Sequence, residues 1–173
     1  MRLPIAFAAC MLTAACTAPS GGPAGTPGDS PLLRGTLHDG SGAERGTVEM
    51  RPHGAMLHVR VTANGLAPGM HGMHVHAVGS CVAPAFTSAG PHWNPDMKQH
   101  GHANPMGPHR GDLPQLNVSA KGRGTAEFDL PASAADIADA DGSALVIHAA
   151  ADDERTDPAG NSGARLLCAE IIR

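Results

Sequence analysis

From residue 33 onward, apolar and polar positions alternate in short runs that Gly and Pro interrupt. The clearest run is Met56-Leu57-His58-Val59-Arg60-Val61, a strict alternation that predicts a strand with one buried and one wet face. Residues 33–37, 46–50, 116–118, 124–130, 144–148 and 164–172 read as further strands. Residues 71–78 alternate as well, with Met73, Val75 and Ala77 set against His74 and His76. Asn64-Gly65 and Pro68-Gly69 supply turns. Residues 133–138 read as one helical turn with Ser133 as N-cap. About eight short antiparallel strands predict an all-β fold, an eight-stranded Greek-key β-barrel or sandwich.

Two stretches have no period. Residues 79–112 are rich in Gly, Pro and His, and residues 152–163 are polar. A loop as long as the first is functional or disordered. Its histidines and Cys81 argue for function, so the fold is expected to carry two long functional loops.

Composition narrows the chemistry. The chain of 173 residues suits one folded domain. It has no Tyr, three Phe and one Trp, so Val, Leu, Ile, Ala and Met must build the core. A net charge of −4 and the lack of a basic run argue against nucleic acid as a partner. Eleven histidines, most of them between His71 and His109, make a metal site the first expectation.

Arg2 and the apolar run that follows read as a secretory signal over residues 1–15. The run is too short for a span, which needs ~20 apolar residues. Small residues before Cys16 resemble a bacterial lipobox, which would make Cys16 the lipidated first residue of the mature chain. Ordinary cleavage nearby, giving a soluble periplasmic protein, is the alternative. Thr17 after the cysteine suits the outer membrane. Residues 16–30 hold little beyond small residues, Gly and Pro, and read as a flexible tether to a domain over 31–173. Outside the cytoplasm Cys81 and Cys168 most simply pair. They are 87 positions apart, and for that separation the chain-entropy model gives such a bridge ~4–5 kcal/mol as an upper figure.

His74 and His76 lie two apart on a predicted strand, so both rings leave one face. His92, His100, His109 and Asp112 follow at intervals of eight, nine and three. Three imidazoles and a carboxylate suit a closed zinc site. His148 ends a later strand.

The segment GMHGMHVHAVGSC resembles the copper,zinc superoxide dismutase signature, and SAGPHWNP resembles the block that carries that family's bridging histidine. KQHG, PHRGD, LVIHAAADD and GNSGARLLC are similar to its later blocks, in order. The resemblance runs over residues 31–173 and points to a bacterial form, lipoprotein or periplasmic. It implies copper held by His74, His76, His92 and His148, and zinc held by His92, His100, His109 and Asp112, one of each ion per subunit. His92 would bridge them. It implies further that Asp152 orients His74 and His100, that His71 supports the copper strand, and that Arg165 holds the substrate anion. It also pairs Cys81 with Cys168.

The implied reaction is dismutation of superoxide to dioxygen and hydrogen peroxide, protecting the cell envelope. The family includes monomers and dimers, so a homodimer stays open. The second loop carries four acids against Arg155, which leaves Arg165, Lys98 or Arg110 to attract an anion. Asp153 reads as a solvated charge, and His38, His53 and His58 as exposed strand histidines. His102 has no counterpart. Met97 and Met106 read as gap fillers, the ordinary role of Met.

Overall fold

The computed structural model describes residues 33–173. The leader at 1–15, the tether at 16–30 with Cys16, and the first two residues of the predicted domain lie outside the described residues.

Nine strands run antiparallel among the described residues. They are β1 (Leu33–Asp39), β2 (Glu44–His53), β3 (Met56–Asn64), β4 (Gly69–His71), β5 (Met73–His76), β6 (Leu116–Val118), β7 (Arg123–Leu130), β8 (Ser143–His148) and β9 (Arg165–Ile171). The alternation predicts eight. The ninth arises because the run over 71–78 is broken at Gly72, whose backbone is drawn away from both neighbours. Gly72 N donates to Ala150 O at 2.8 Å, and Gly72 O accepts from His148 N at 2.8 Å. A side chain has no room there, since a Cβ would sit 2.7 Å from that of Ser162.

The spatial order is β4-β6-β7-β3-β2-β1-β9-β8-β5. Its two ends, β4 and β5, are one residue apart in the chain. The sheet therefore curls until its ends meet, and the result is a nearly closed barrel. The connection from β3 to β4 passes over β7 and β6, in Greek-key fashion.

The barrel interior follows from the alternation. On β3, Leu57, Val59, Val61 and Ala63 are buried, whereas Met56, Arg60 and Asn64 are exposed. The buried face packs with Val48, Met50, Leu116, Leu130, Leu145, Ile147 and Leu167. Each such side chain contributes about 1.5–3 kcal/mol on burial. A helix, α1 (Ala134–Ile137), has the expected cap: Ser133 and Asp136 close a capping box.

Residues 77–115 join β5 to β6, and residues 149–164 join β8 to β9. The first loop brings its own small core, in which Phe86 and Ala89 pack on Ala144, Val146 and Cys168. Cys81 and Cys168 form a disulfide across this cluster, as expected. Met97 and Met106 do not fill gaps. They stand 91% and 61% exposed on the loop, with most of their surface in solvent rather than packed.

Candidate metal centre

β5 is paired with β8 along one edge. Along its other edge the long loop folds back as a substitute strand. Val75 N donates to Gly111 O at 2.9 Å, Trp93 N to Val75 O at 2.8 Å and Ala77 N to Pro91 O at 2.9 Å. Isolated bridges set His76 opposite His92 and His74 opposite Asp112. Residues far apart in sequence are thus placed by backbone bonds before any side chain acts.

His74, His76, His92 and His148 are all buried, and one ring nitrogen of each lies within 4.8 Å of the others. The second nitrogen of every ring is engaged. His74 Nε2 meets Asp152 Oδ2 at 2.6 Å, and His76 Nδ1 meets Gly90 O at 2.8 Å. His92 Nδ1 meets Asp112 Oδ1 at 2.9 Å, and His148 Nδ1 meets Gly163 O at 3.1 Å. These bonds fix which nitrogen each ring presents. The presented atoms, His74 Nδ1 and the Nε2 atoms of His76, His92 and His148, are buried with no hydrogen-bond partner among the described residues. Leaving a buried polar group unsatisfied costs about 1–3 kcal/mol. Four convergent lone pairs fit a tetragonal copper(II) ion, for which imidazole is a suitable ligand.

A second donor set shares His92. Asp112 Oδ1 lies 2.9 Å from His92 Nδ1, 3.0 Å from His100 Nδ1 and 3.2 Å from His109 Nδ1. His109 Nδ1 is also 3.4 Å from His92 Nδ1. Zinc sits ~2.0–2.2 Å from N and O ligands, and tetrahedral ligands at that range are ~3.3 Å apart, so these spacings fit. By mutual distance His74, His92, His100 and Asp112 also form a group. His109 is the better fourth member, because the Nε2 of His74 is taken by Asp152 and its Nδ1 belongs to the first set.

Electrostatics separate the two sets. Burial holds His76, His92 and His148 down to about 2, about 4 and about 3, so these rings are neutral and ready to donate lone pairs. His100 is opposite. Burial disfavours its charge, but hydrogen bonds to Asp112 and Asp152 win and push it up to about 10. Burial would raise both carboxyls, but the histidine hydrogen bonds hold Asp112 and Asp152 well below the usual carboxylate range.

Asp152 joins the two donor sets: Oδ2 takes His74 Nε2 and Oδ1 takes His100 Nε2 at 3.0 Å. Gln115 holds Asp152 in turn, accepting from its N at 2.9 Å and donating to its O at 3.0 Å. Gly160 closes over this pair at φ 59°, and a Cβ there would strike the Asp152 carboxylate and His100 Nε2. Asp153 is exposed, as expected, and ties the loop's turns through Thr156 and Asn161.

Arg165 opens β9 opposite His148. Its Nη1 donates to Phe86 O at 2.7 Å and its Nη2 to Gly90 O at 2.8 Å. Both carbonyls belong to the loop that the disulfide holds. His71 is buried, its Nδ1 2.7 Å from His148 O and its Nε2 2.9 Å from Ala67 O. The seven expected ligands, Asp152 and His71 are therefore linked by direct contacts along β5 and the loop beside it, and Arg165 joins them through Gly90. The sequence reading missed Gly90, Gly163, Gln115, Gly160 and His102, whose Nε2 lies 3.0 Å from Asp112 O. Only the glycine content of the loops hinted at any of them. Arg110 is bound to Asp96 through Nε at 2.6 Å and Nη2 at 3.0 Å, so much of its charge is spent locally.

Comparison with known proteins follows the same lines. The family model described as copper/zinc superoxide dismutase (SODC) matches residues 44–171. Superoxide dismutase-like protein YojM of Bacillus subtilis is 46% identical over 123 residues, and the match covers 67% of this chain and 63% of that protein. The Cu-Zn superoxide dismutase of Caulobacter vibrioides is 40% identical over 141 residues, covering 77% of this chain and 80% of that one. Among solved structures, a SOD-like protein from Bacillus subtilis superposes with a TM-score of 0.76 at 41% identity, over 79% of this chain and 95% of that one. Cu/Zn superoxide dismutase from Brucella abortus gives 0.66 at 30% identity, over 79% and 97%.

Proposed function

This chain belongs to the copper/zinc superoxide dismutase family, an oxidoreductase family that uses one copper and one zinc per subunit, and on that premise we propose that it dismutes superoxide in the cell envelope with His92 as the bridge between the two metals. The observation that carries the proposal is the set of four buried, unpartnered ring nitrogens pointing at one another. His74, His76, His92 and His148 would hold copper. His92, His100, His109 and Asp112 would hold zinc.

When bound, copper supplies one-electron redox chemistry, and zinc, which has none, supplies fixed charge. The protein's own part is proton handling and anion binding. A neutral imidazole has one lone-pair nitrogen. His92 faces one donor set with Nδ1 and the other with Nε2, so serving both requires the loss of its remaining N–H, which two cations favour. Its Nε2 can then take up a proton and return it, which suits a reaction that ends in hydrogen peroxide. Asp152 accepts from His74 and His100 and keeps both rings turned to their ions. Arg165, held by two carbonyls, has further N–H donors for an anionic dioxygen species. The leader and the lipobox-like residues before Cys16 support an envelope location, with a lipid on Cys16 as anchor to the outer membrane.

The test is metal content and superoxide dismutation of the full chain beside His148→Ala. One copper and one zinc per chain, with activity lost in the variant while zinc stays, supports the proposal. Zinc without activity after copper is supplied would leave a metal-holding protein of the same fold. Labelling with a fatty-acid analogue that is retained in Cys16→Ser would remove the anchor.

A further inference from the structure

The outer wall of the barrel carries another convergence of ligand atoms. His53 ends β2, His58 lies in β3 and Asp129 lies in β7. None of these strands supplies a ligand to the centre described above. His58 and Asp129 are cross-strand partners. His53 is carried beside them by the tight turn at Gly54-Ala55, where Gly54 takes φ 61°. Both Nδ1 atoms lie 3.1 Å from the same oxygen, Asp129 Oδ1. The three ligand atoms are mutually within 4.8 Å. The two rings are nearly perpendicular at 88°, so they reach the carboxylate from different directions.

Ligand atoms ~2.0–2.2 Å from a shared ion are spaced ~3.0–3.4 Å apart at square to tetrahedral angles. The 3.1 Å spacings fall in that window, and they match the 2.9–3.2 Å spacings around Asp112 Oδ1. The side chains of His53, His58 and Asp129 are 63%, 43% and 33% exposed, so water can complete the coordination. Three hydrogen-bonded strands hold the geometry in place, which limits the ordering cost of binding.

We propose that His53, His58 and Asp129 form a separate, solvent-open site for a divalent transition-metal ion of the zinc or copper(II) class. Two imidazoles and one carboxylate suit such ions, and copper(II) binds the stronger of the two. An ion there ties β2, β3 and β7 together on the outside of the barrel, and it exchanges freely with solvent, unlike ions in the buried centre.

The full chain, its centre already loaded with copper and zinc, is titrated with zinc chloride by calorimetry beside His53→Gln, His58→Gln and Asp129→Asn. One additional zinc ion per chain is expected. Loss of even a residue that only supports a ligand weakens metal sites roughly 10–100-fold, so each variant should bind that ion at least this much more weakly. The copper and zinc of the centre should stay unchanged in every variant, which also reports correct folding. Copper(II) added to the loaded wild type should give a second paramagnetic signal split by two nitrogens. No additional ion, an additional ion bound equally by the variants, or a signal split by four nitrogens overturns the proposal.

Discussion

Arg165 and His76 share one acceptor: the guanidinium Nη2 and the imidazole Nδ1 each lie 2.8 Å from the carbonyl oxygen of Gly90. One loop carbonyl thus sets both the ring that presents Nε2 to the centre and the cation beside it. Arg165→Ala removes the cation without touching a proposed ligand. The dismutation rate constant is expected to fall about ten-fold, equivalent to ~1.4 kcal/mol, with metal content unchanged. The residual rate should depend less steeply on salt, because Arg110 is already paired with Asp96. An unchanged rate at low salt would take Arg165 out of anion handling.

His92→Ala tests the bridge. The variant keeps three of the four nitrogens presented to copper and should still bind that ion, but dismutation should fall by a factor of 100 or more, on the order of general acid–base contributions. Full activity after reloading with copper would show that no proton carrier is needed at this position.

Gly160→Ala strikes the hydrogen-bonded pair Asp152–His100 from above, at a backbone conformation that alanine adopts with strain. A loss of about 1–3 kcal/mol is expected, with zinc released faster than in wild type. Equal zinc retention in a stopped-flow chelator assay would mean that the loop yields without disturbing His100.

The metal-free chain should have a two-sided pH dependence. His76, His92 and His148 are held below the ordinary histidine value, so the unfolded chain binds more protons than the folded one in acid. Stability then falls as pH drops from about 6.5 through about 4, by about 1.4 kcal/mol per unit for each group in its window. His100 is raised to about 10, so its contribution is complete below about 6.5 and is lost as pH climbs towards 10. Urea midpoints of the chelated chain across pH 4–10 should peak near 6.5. A flat or monotonic profile would contradict this.

Cys168→Ser removes a bridge of the kind worth about 2–5 kcal/mol in small disulfide-bonded domains. It should also cost activity at temperatures where the fold persists, because Phe86 and Gly90 then hold Arg165 on an untethered loop. A variant that is less stable but fully active would separate the two roles.

Much of this was legible because strand periodicity and ligand chemistry both reside in side chains. The alternation over Met56–Val61 marks the inner wall of β3, and the run at 116–118 coincides with β6. Ser133 announces its helix by residue type, whereas the return bond from Asp136 emerges only in the structure. His74, His76, His92, His100, His109, Asp112 and His148 are conspicuous because few other side chains bind metals. The orienting carbonyls of Gly90 and Gly163 were invisible, since a backbone oxygen is identical in every residue. The break at Gly72 was hidden inside a run whose alternation continues through it. His53 is exposed as expected and His58 half-buried, but their meeting at Asp129 depends on strand order, which the local pattern does not encode.

The loop laid along β5 has a consequence for the behaviour of the protein in a crowded compartment. A bare strand edge is a template on which another chain can add, and among the described residues β5 is covered on that side only by loop backbone from residues 91–93 and 111–113. The same stretch carries the imidazoles and the carboxylate proposed for zinc. Ion release would therefore loosen the cover and uncover a sticky seam, so keeping its metals and remaining monodisperse would be one trait for this chain.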